Sequence, residues 1–315
     1  MAFGTLLGNE RIKQNLAGSL SRGHISHFYL ISGPRGSGKR TLARLLAAAI
    51  LCKSGNRPCL SCHVCRRVLE NAHPDLITVE DPEHKTTAVK IVRQFREDVF
   101  IRPNESDYKI YLFPQELGLE GQNALLKILE EPPQYGVFIL LSDNPDKLLP
   151  TVRSRCTELK MQALPGELLK KQLQKDFPQA TEEDLAAALR RSGGFLGQAR
   201  ELLRSGSQIP PQTEGFVRAF ASRNALALTE ILVPMEKWKR DALTEILSSW
   251  SELLEEALTC RAGENAVSSL ARTLSLGRST PELLQALKSV KKAREYALSN
   301  VSPAAVCGWL VWALR

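Results

Sequence analysis

One stretch constrains this chain more than any other. Phe28-Tyr29-Leu30-Ile31 runs into Gly33-Pro34-Arg35-Gly36-Ser37-Gly38-Lys39, and a helical pattern follows over 41–51. Strand, glycine-rich turn and helix in that order make a phosphate-binding loop. Gly33, Gly36 and Gly38 let the backbone turn its N–H groups inward, the helix start adds partial positive charge, and Lys39 is placed to meet β- and γ-phosphate oxygens. Such a loop belongs to a parallel sheet. Residues 76–79, 110–113 and 137–141 read as further buried parallel strands. Helices are predicted over 87–99 and 122–131, the second stopped by Pro132-Pro133. The alternation predicts an α/β core with helices on both faces of the sheet.

Beyond about residue 160 the strand signals fade. Helical patterns take over, broken first at Ser192-Gly193-Gly194. With 315 residues the chain has room for two or three domains. The predicted division is a core over 1–163, a small helical unit over 164–206 and an all-helical region over 207–315. Thr280 before Pro281-Glu282 is expected to cap one helix, and Ser302 before Pro303 the last. The apolar run 304–314 is too short to span a bilayer and reads as a buried helix. No basic-then-apolar leader opens the chain, so a cytoplasmic protein with no membrane contact is expected.

The phosphate loop lacks its usual companions. The residue after Lys39 should carry a hydroxyl for Mg²⁺, and it is Arg40. Thr41 is no substitute, because one residue rotates a helical side chain by about 100°. The strand ending at Phe113 should lead into an acidic pair for the metal and the attacking water. It leads into Pro114-Gln115, and Glu116 lies beyond the strand end. Without oxygen donors on the metal side, hydrolysis is not expected, and ATP or ADP binding should be weak or absent.

Seven cysteines without an export signal read as reduced thiols or metal ligands. Cys52, Cys59, Cys62 and Cys65 have the spacing C-x6-C-x2-C-x2-C, which suits a closed tetrahedral structural zinc site. Four sulfurs leave no open position for catalysis. The module over 52–65 is expected to lie outside the strand–helix core. His63 and His73 read as surface or supporting residues, and Cys156, Cys260 and Cys307 as ordinary buried cysteines.

Charge is localised. The chain carries a net +8, and residues 1–50 hold seven basic side chains against one acidic. That pattern fits a local anion site better than a nucleic-acid-coating surface.

These motifs together resemble the clamp-loader subunits of bacterial DNA polymerase III, in the AAA+ superfamily. The matching segments are LLGNERIKQNLAGSL, GHISHFYLISGPRGSGKRTLA, CLSCHVC with HPDL after it, QNALLKILEEPP and LLSDNPDKLLPTVRSRC. The resemblance implies an AAA+ P-loop core with a zinc insert, a helical lid and an all-α C-terminal collar that joins a ring. The motor subunits of the family, gamma/tau, keep the metal threonine, an Asp-Glu pair and a lid arginine. Here Arg40, Pro114-Gln115 and Gly197 stand in those places. The chain is therefore similar to the delta-prime class, a non-hydrolysing stator without ATPase activity of its own within the polymerase holoenzyme. The implied partners are gamma/tau and delta subunits, the sliding clamp, and primed DNA reached through the complex. The same resemblance assigns Arg155, in Ser154-Arg155-Cys156, as an arginine finger given in trans to a neighbour's ATP. Glu130-Glu131 reads as a solvated helix end. The alternative is an active motor subunit of the gamma/tau type. A nucleotide kinase or helicase and a DNA-binding zinc protein are less well supported by these motifs.

Overall fold

The computed structural model describes residues 3–84, 86–87, 89–204, 210–263, 268–299 and 301–314. It forms two compact units, Met1–Gly206 and Ser207–Arg315. The predicted division at 206/207 falls within 205–209, outside the described residues.

The first unit opens with helix α1 (Glu10–Ser21), then strand β1 (Phe28–Ser32), α2 (Lys39–Leu51) and α3 (His63–Leu69). Next come β2 (Leu76–Thr78), β3 (Thr86–Thr87), α4 (Val89–Asp98), β4 (Lys109–Phe113), β5 (Glu116–Leu117), α5 (Leu119–Glu130) and β6 (Gly136–Ser142). Helix α6 (Pro150–Arg153) and strand β7 (Thr157–Lys160) complete the core. Five strands make one parallel sheet in the order β2-β4-β6-β1-β7, and β3 pairs with β5 apart from it. β1, β4 and β6 are buried along their whole length, as parallel strands covered on both faces must be.

Alternation along these strands divides the core. Tyr29, Ile31, Ile110, Leu112, Val137, Ile139 and Leu141 face α1 and α2. Phe28, Leu30, Tyr111, Phe113, Phe138 and Leu140 face α4, α5 and α6. Phe95 of α4 packs edge-on against Tyr111, Phe113 and Phe138 on that second face. One strand was not anticipated. β7 is an edge strand with three of its four residues exposed, so it carries no apolar run.

The cysteine module does not lie outside the core. Cys52, Cys65 and Val68 are buried in the same cluster as Leu45, Leu46 and the strand residues. The reason lies in α2, where every residue from Leu45 to Leu51 is buried. A helix apolar on all sides needs cover on the face turned away from the sheet, and the module supplies it.

The lid follows as α7 (Gly166–Asp176), α8 (Glu182–Arg191) and α9 (Leu196–Arg204). It has a small core of its own around Leu169, Leu173, Leu185, Ala188 and Ala199.

The second unit is helical throughout: α10 (Pro211–Ala221), α11 (Ala225–Met235), α12 (Arg240–Arg261), α13 (Ser269–Gly277), α14 (Thr280–Leu298) and α15 (Pro303–Ala313). Trp250 lies fully buried at its centre, stacked on Phe216 with ring centroids 4.1 Å apart, and its indole N–H donates to Thr213. Ser302 caps α15 as expected. The cap of α14 is Ser279, not Thr280. Ser279 and Glu282 form a reciprocal capping box that places Thr280 and Pro281 inside the first turn. α15 is buried at Val306, Cys307 and Leu310, whereas Trp312 on the same helix is exposed. Cys156 and Cys260 are only half-buried. No described helix is long and apolar enough to cross a membrane.

Candidate functional site

The phosphate loop takes the predicted place between β1 and α2. Gly36 at φ +73° and Gly38 at φ +94° occupy left-handed conformations that only glycine adopts without strain. α2 begins at Lys39, two residues earlier than the apolar pattern suggested.

Lys39 is buried, and its Nζ already has three partners: the Gly33 carbonyl at 2.6 Å, the Pro34 carbonyl at 2.8 Å and the Asp143 Oδ1 at 2.7 Å. Asp143 follows β6, which pairs with β1 in a register that sets Ser142 beside Ser32. A carboxylate thus stands beside the loop, neutralising the lysine and opposing a triphosphate. The sequence reading missed Asp143. Its signal was a polar residue at the carboxyl end of the strand adjacent to the loop.

The metal-side residues are committed elsewhere. The Gln115 amide donates to the carbonyls of Asp81 and His84 at 2.8 and 2.9 Å, and its oxygen accepts from the Asp81 N–H at 2.7 Å. Glu116 starts β5 and pairs with Lys147 at 3.1 Å. Arg40 is exposed. The residues present do not fit a magnesium–nucleotide complex: no hydroxyl follows Lys39, no free carboxylate ends β4, and Lys39 is held by Asp143.

The lid touches this loop directly. The Gly197 N–H donates to the Gly36 carbonyl at 2.9 Å. A Cβ on Gly197 would stand 2.5 Å from the Gly36 Cα, so neither position has room for a side chain.

Arg155 lies in the turn between α6 and β7. Its neighbours are tied to α6, with the Ser154 hydroxyl donating to Thr151 and the Cys156 thiol to Val152. Burial pushes the Cys156 thiol up to about 12, so it stays protonated. Arg155 itself donates to the Thr151 carbonyl at 2.9 Å and stands 3.4 Å from Glu130, with its side chain 39% exposed. Glu130 is thus a helix end in solvent with this one loose ion pair.

The four predicted sulfurs converge. The Sγ atoms of Cys52, Cys59, Cys62 and Cys65 all lie within 4.8 Å of one another, with Cys52–Cys62 at 4.0 Å and Cys59–Cys65 at 3.9 Å. A tetrahedral zinc with bonds of about 2.3 Å has sulfur–sulfur edges near 3.8 Å. The backbone N–H groups of Cys62 and Cys65 point at the Cys59 and Cys62 sulfurs, each 3.4 Å away. N–H donors from Cys62 and Ser61 lower the Cys59 thiol to about 6, while burial raises that of Cys65. The cluster can hold a zinc ion. Neither histidine belongs to it. His63 is exposed, and His73 is buried with its Nδ1 accepting from the Asp75 N–H.

A parallel sheet in this strand order, a phosphate loop after β1 and a helical lid seated on that loop define an AAA+-type P-loop protein. The family described as DNA polymerase III, delta subunit, matches residues 8–165. DNA polymerase III subunit gamma of Buchnera aphidicola subsp. Schizaphis graminum is 30% identical over 275 residues, covering 82% of this chain and 75% of that protein. Subunit tau of Escherichia coli is 38% identical over 176 residues, which are 55% of this chain and 27% of that much longer protein. A gamma subunit-related protein from Thermotoga maritima has a solved structure that aligns over 95% of this chain and 98% of its own, with 17% identity and a TM-score of 0.44. The chain belongs to the family of DNA polymerase III clamp-loader subunits and is related to gamma/tau.

Proposed function

We propose that this chain is the non-hydrolysing, delta-prime type of clamp-loader subunit. In this reading the core and lid form a fixed element of the ring, and residues 207–315 form the collar that joins it to gamma/tau and delta subunits. The assembled ring opens a sliding clamp and places it on primed DNA. Arg155 offers its guanidinium fork to ATP held by the adjacent motor subunit, where charge builds on the γ-phosphate in the transition state. Zinc on Cys52, Cys59, Cys62 and Cys65 holds the module closed over α2. The degenerate loop of Gly33, Gly36, Gly38 and Lys39 keeps the backbone path of a nucleotide site without its chemistry.

The observation that carries this reading is the Lys39–Asp143 ion pair at 2.7 Å, which satisfies the lysine within the chain. Gln115 in a purely structural role agrees with it. A second reading, an active motor, is favoured by the gamma and tau names of the related proteins. A steady-state ATPase assay on the purified chain, with Lys39→Ala as control, separates the two. The stator reading expects no turnover above the control, and no gain on Arg40→Thr because the acid after β4 is still missing. Turnover that vanishes in the control makes the chain a motor. Co-purification with gamma/tau and delta subunits tests membership of the ring.

A further inference from the structure

The five-stranded sheet ends on β7, which pairs with β1 on one side and with no described strand on the other. The Met161 N–H donates to the Ser32 carbonyl at 2.8 Å. Counting back along a parallel ladder, Leu159 and Thr157 bond toward β1, so the backbone N–H and C=O groups of Glu158 and Lys160 point outward. Open edges of this kind are ordinarily blunted by charged side chains. Here the Glu158 carboxylate is drawn back over the sheet, accepting from the Ser32 hydroxyl at 2.8 Å and pairing with Arg153 at 3.3 Å. Only Lys160 is left to guard the edge.

Beside that edge, on the face that carries α1, lies an open cavity of about 600 Å³. Leu16, Ile25 and Leu159 form its apolar wall. The polar lining is rich in donors. Asn15, Ser19, Arg22 and His24 have no side-chain hydrogen bond among the described residues. The buried Tyr29 hydroxyl accepts from the Ser26 N–H at 2.9 Å, yet its own proton meets no acceptor there. The end of α1 is closed by its own turn, the His24 and Gly23 N–H groups donating to the Ser19 and Leu20 carbonyls at 2.9 and 3.1 Å. Buried phenol hydroxyls ordinarily find an acceptor. Unmet donors around one cavity define a ligand that brings oxygen atoms and negative charge.

We infer that β7 and this cavity bind the carboxyl-terminal tail of a partner protein as an added strand. An extended peptide completes the outward backbone pairs of Glu158 and Lys160, and its alternate side chains turn into the groove against Leu16 and Leu159. Antiparallel addition gives the stabler ladder and brings the peptide's carboxyl end to the amino end of β7, where the cavity opens. There the terminal carboxylate meets the guanidinium fork of Arg22, with His24 and the Tyr29 hydroxyl as further donors. The site lies at the opposite end of β1 from the phosphate loop. It rests on the free edge of the sheet and not on which clamp-loader subunit the chain is.

The test is fluorescence anisotropy of a labelled hexapeptide of alternating threonine and valine that ends in leucine with a free carboxyl group, titrated with the full-length chain. Saturable binding is expected, and the same peptide amidated at its carboxyl end should bind at least about tenfold more weakly. Arg22→Gln should lose about tenfold and abolish the difference between the two peptides. Lys171→Gln, an exposed position on α7 that changes the net charge equally, should lose nothing. Lys160→Pro removes an outward N–H without touching the bonds to β1 and should abolish binding, while Lys160→Gln should keep it. Circular dichroism checks the fold of each variant, and hydrogen exchange of the complex should show residues 157–160 protected. If the proline unfolds the chain, the Arg22→Gln and amide arms decide. Absence of saturable binding, equal affinity for acid and amide peptides, or unchanged binding by a folded Lys160→Pro chain would each overturn the inference. Benzoate that binds as tightly as the peptide would assign the cavity to a small organic acid and overturn it as well. The ATPase and ring co-purification assays report on the subunit assignment separately.

Discussion

Lys39 and Asp143 meet at 2.7 Å beside the phosphate loop, so the lysine that would grip a nucleotide is neutralised by a carboxylate of the neighbouring strand's end. The pair joins two residues more than a hundred positions apart, and only the parallel register of β1 and β6 brings them together.

Removing the carboxylate should free the lysine. Asp143→Ala is expected to raise affinity for a fluorescent ATP analogue roughly tenfold, equivalent to about 1.4 kcal/mol. Hydrolysis should stay absent, because Arg40 and Gln115 are unchanged. Unaltered affinity in a binding titration would show that Asp143 does not oppose the phosphates.

The cysteine module should contain about one zinc per chain by elemental analysis. Cys59→Ser should lose the metal and, because Cys65 and Val68 pack into the sheet's own cluster, lower the stability of the first unit by about 2–5 kcal/mol. A metal-free, folded preparation with four reactive thiols here would refute the site.

Arg155→Ala should leave the isolated chain within about 0.5 kcal/mol of its original stability, since the 3.4 Å contact with Glu130 is loose and exposed. In a reconstituted ring it should reduce clamp loading on primed DNA while other motor sites keep turning over. Arg155→Lys should recover little, because a point charge lacks the bidentate fork. Loading at the original rate by the alanine ring would leave Arg155 as a surface ion pair.

Acid stability should depend on Asp75. Burial alone would raise its carboxyl, but the backbone N–H groups of Asn104, Glu105 and Ser106 and the Asn104 amide outweigh burial and hold it below the ordinary range. A carboxyl depressed on folding stabilises above its unfolded value near 3.9, and that contribution is lost as pH falls through the folded value. Asp75→Asn should cost about 2–3 kcal/mol at neutral pH and blunt the pH dependence of unfolding below about pH 4. Parallel denaturation curves for both proteins at every pH would contradict this.

Much of the site was legible in the sequence because its chemistry is local. The glycine loop, the cysteine spacing and the apolar strands each depend on residues within a few positions of one another. Asp143 and the Gly36–Gly197 contact were not legible, since each joins residues brought together only by the sheet or by the lid's return. β7 escaped because an edge strand needs no apolar run. The cap of α14 was misplaced by one residue, because Ser279 and Thr280 are equally good caps and only the reach of Glu282 decides between them. The module's place in the core had a local signal in LLAAAIL, seven residues without a polar face.

That roof over α2 sets an order of events during synthesis. The helix leaves the ribosome before the cysteines that will cover it, so the face of α2 turned away from the sheet has no cover until Cys65 and Val68 have followed. If zinc is what holds that cover closed, a shortage of zinc would send the unfinished chain to chaperones and proteases, and it would register as abundance instead of activity.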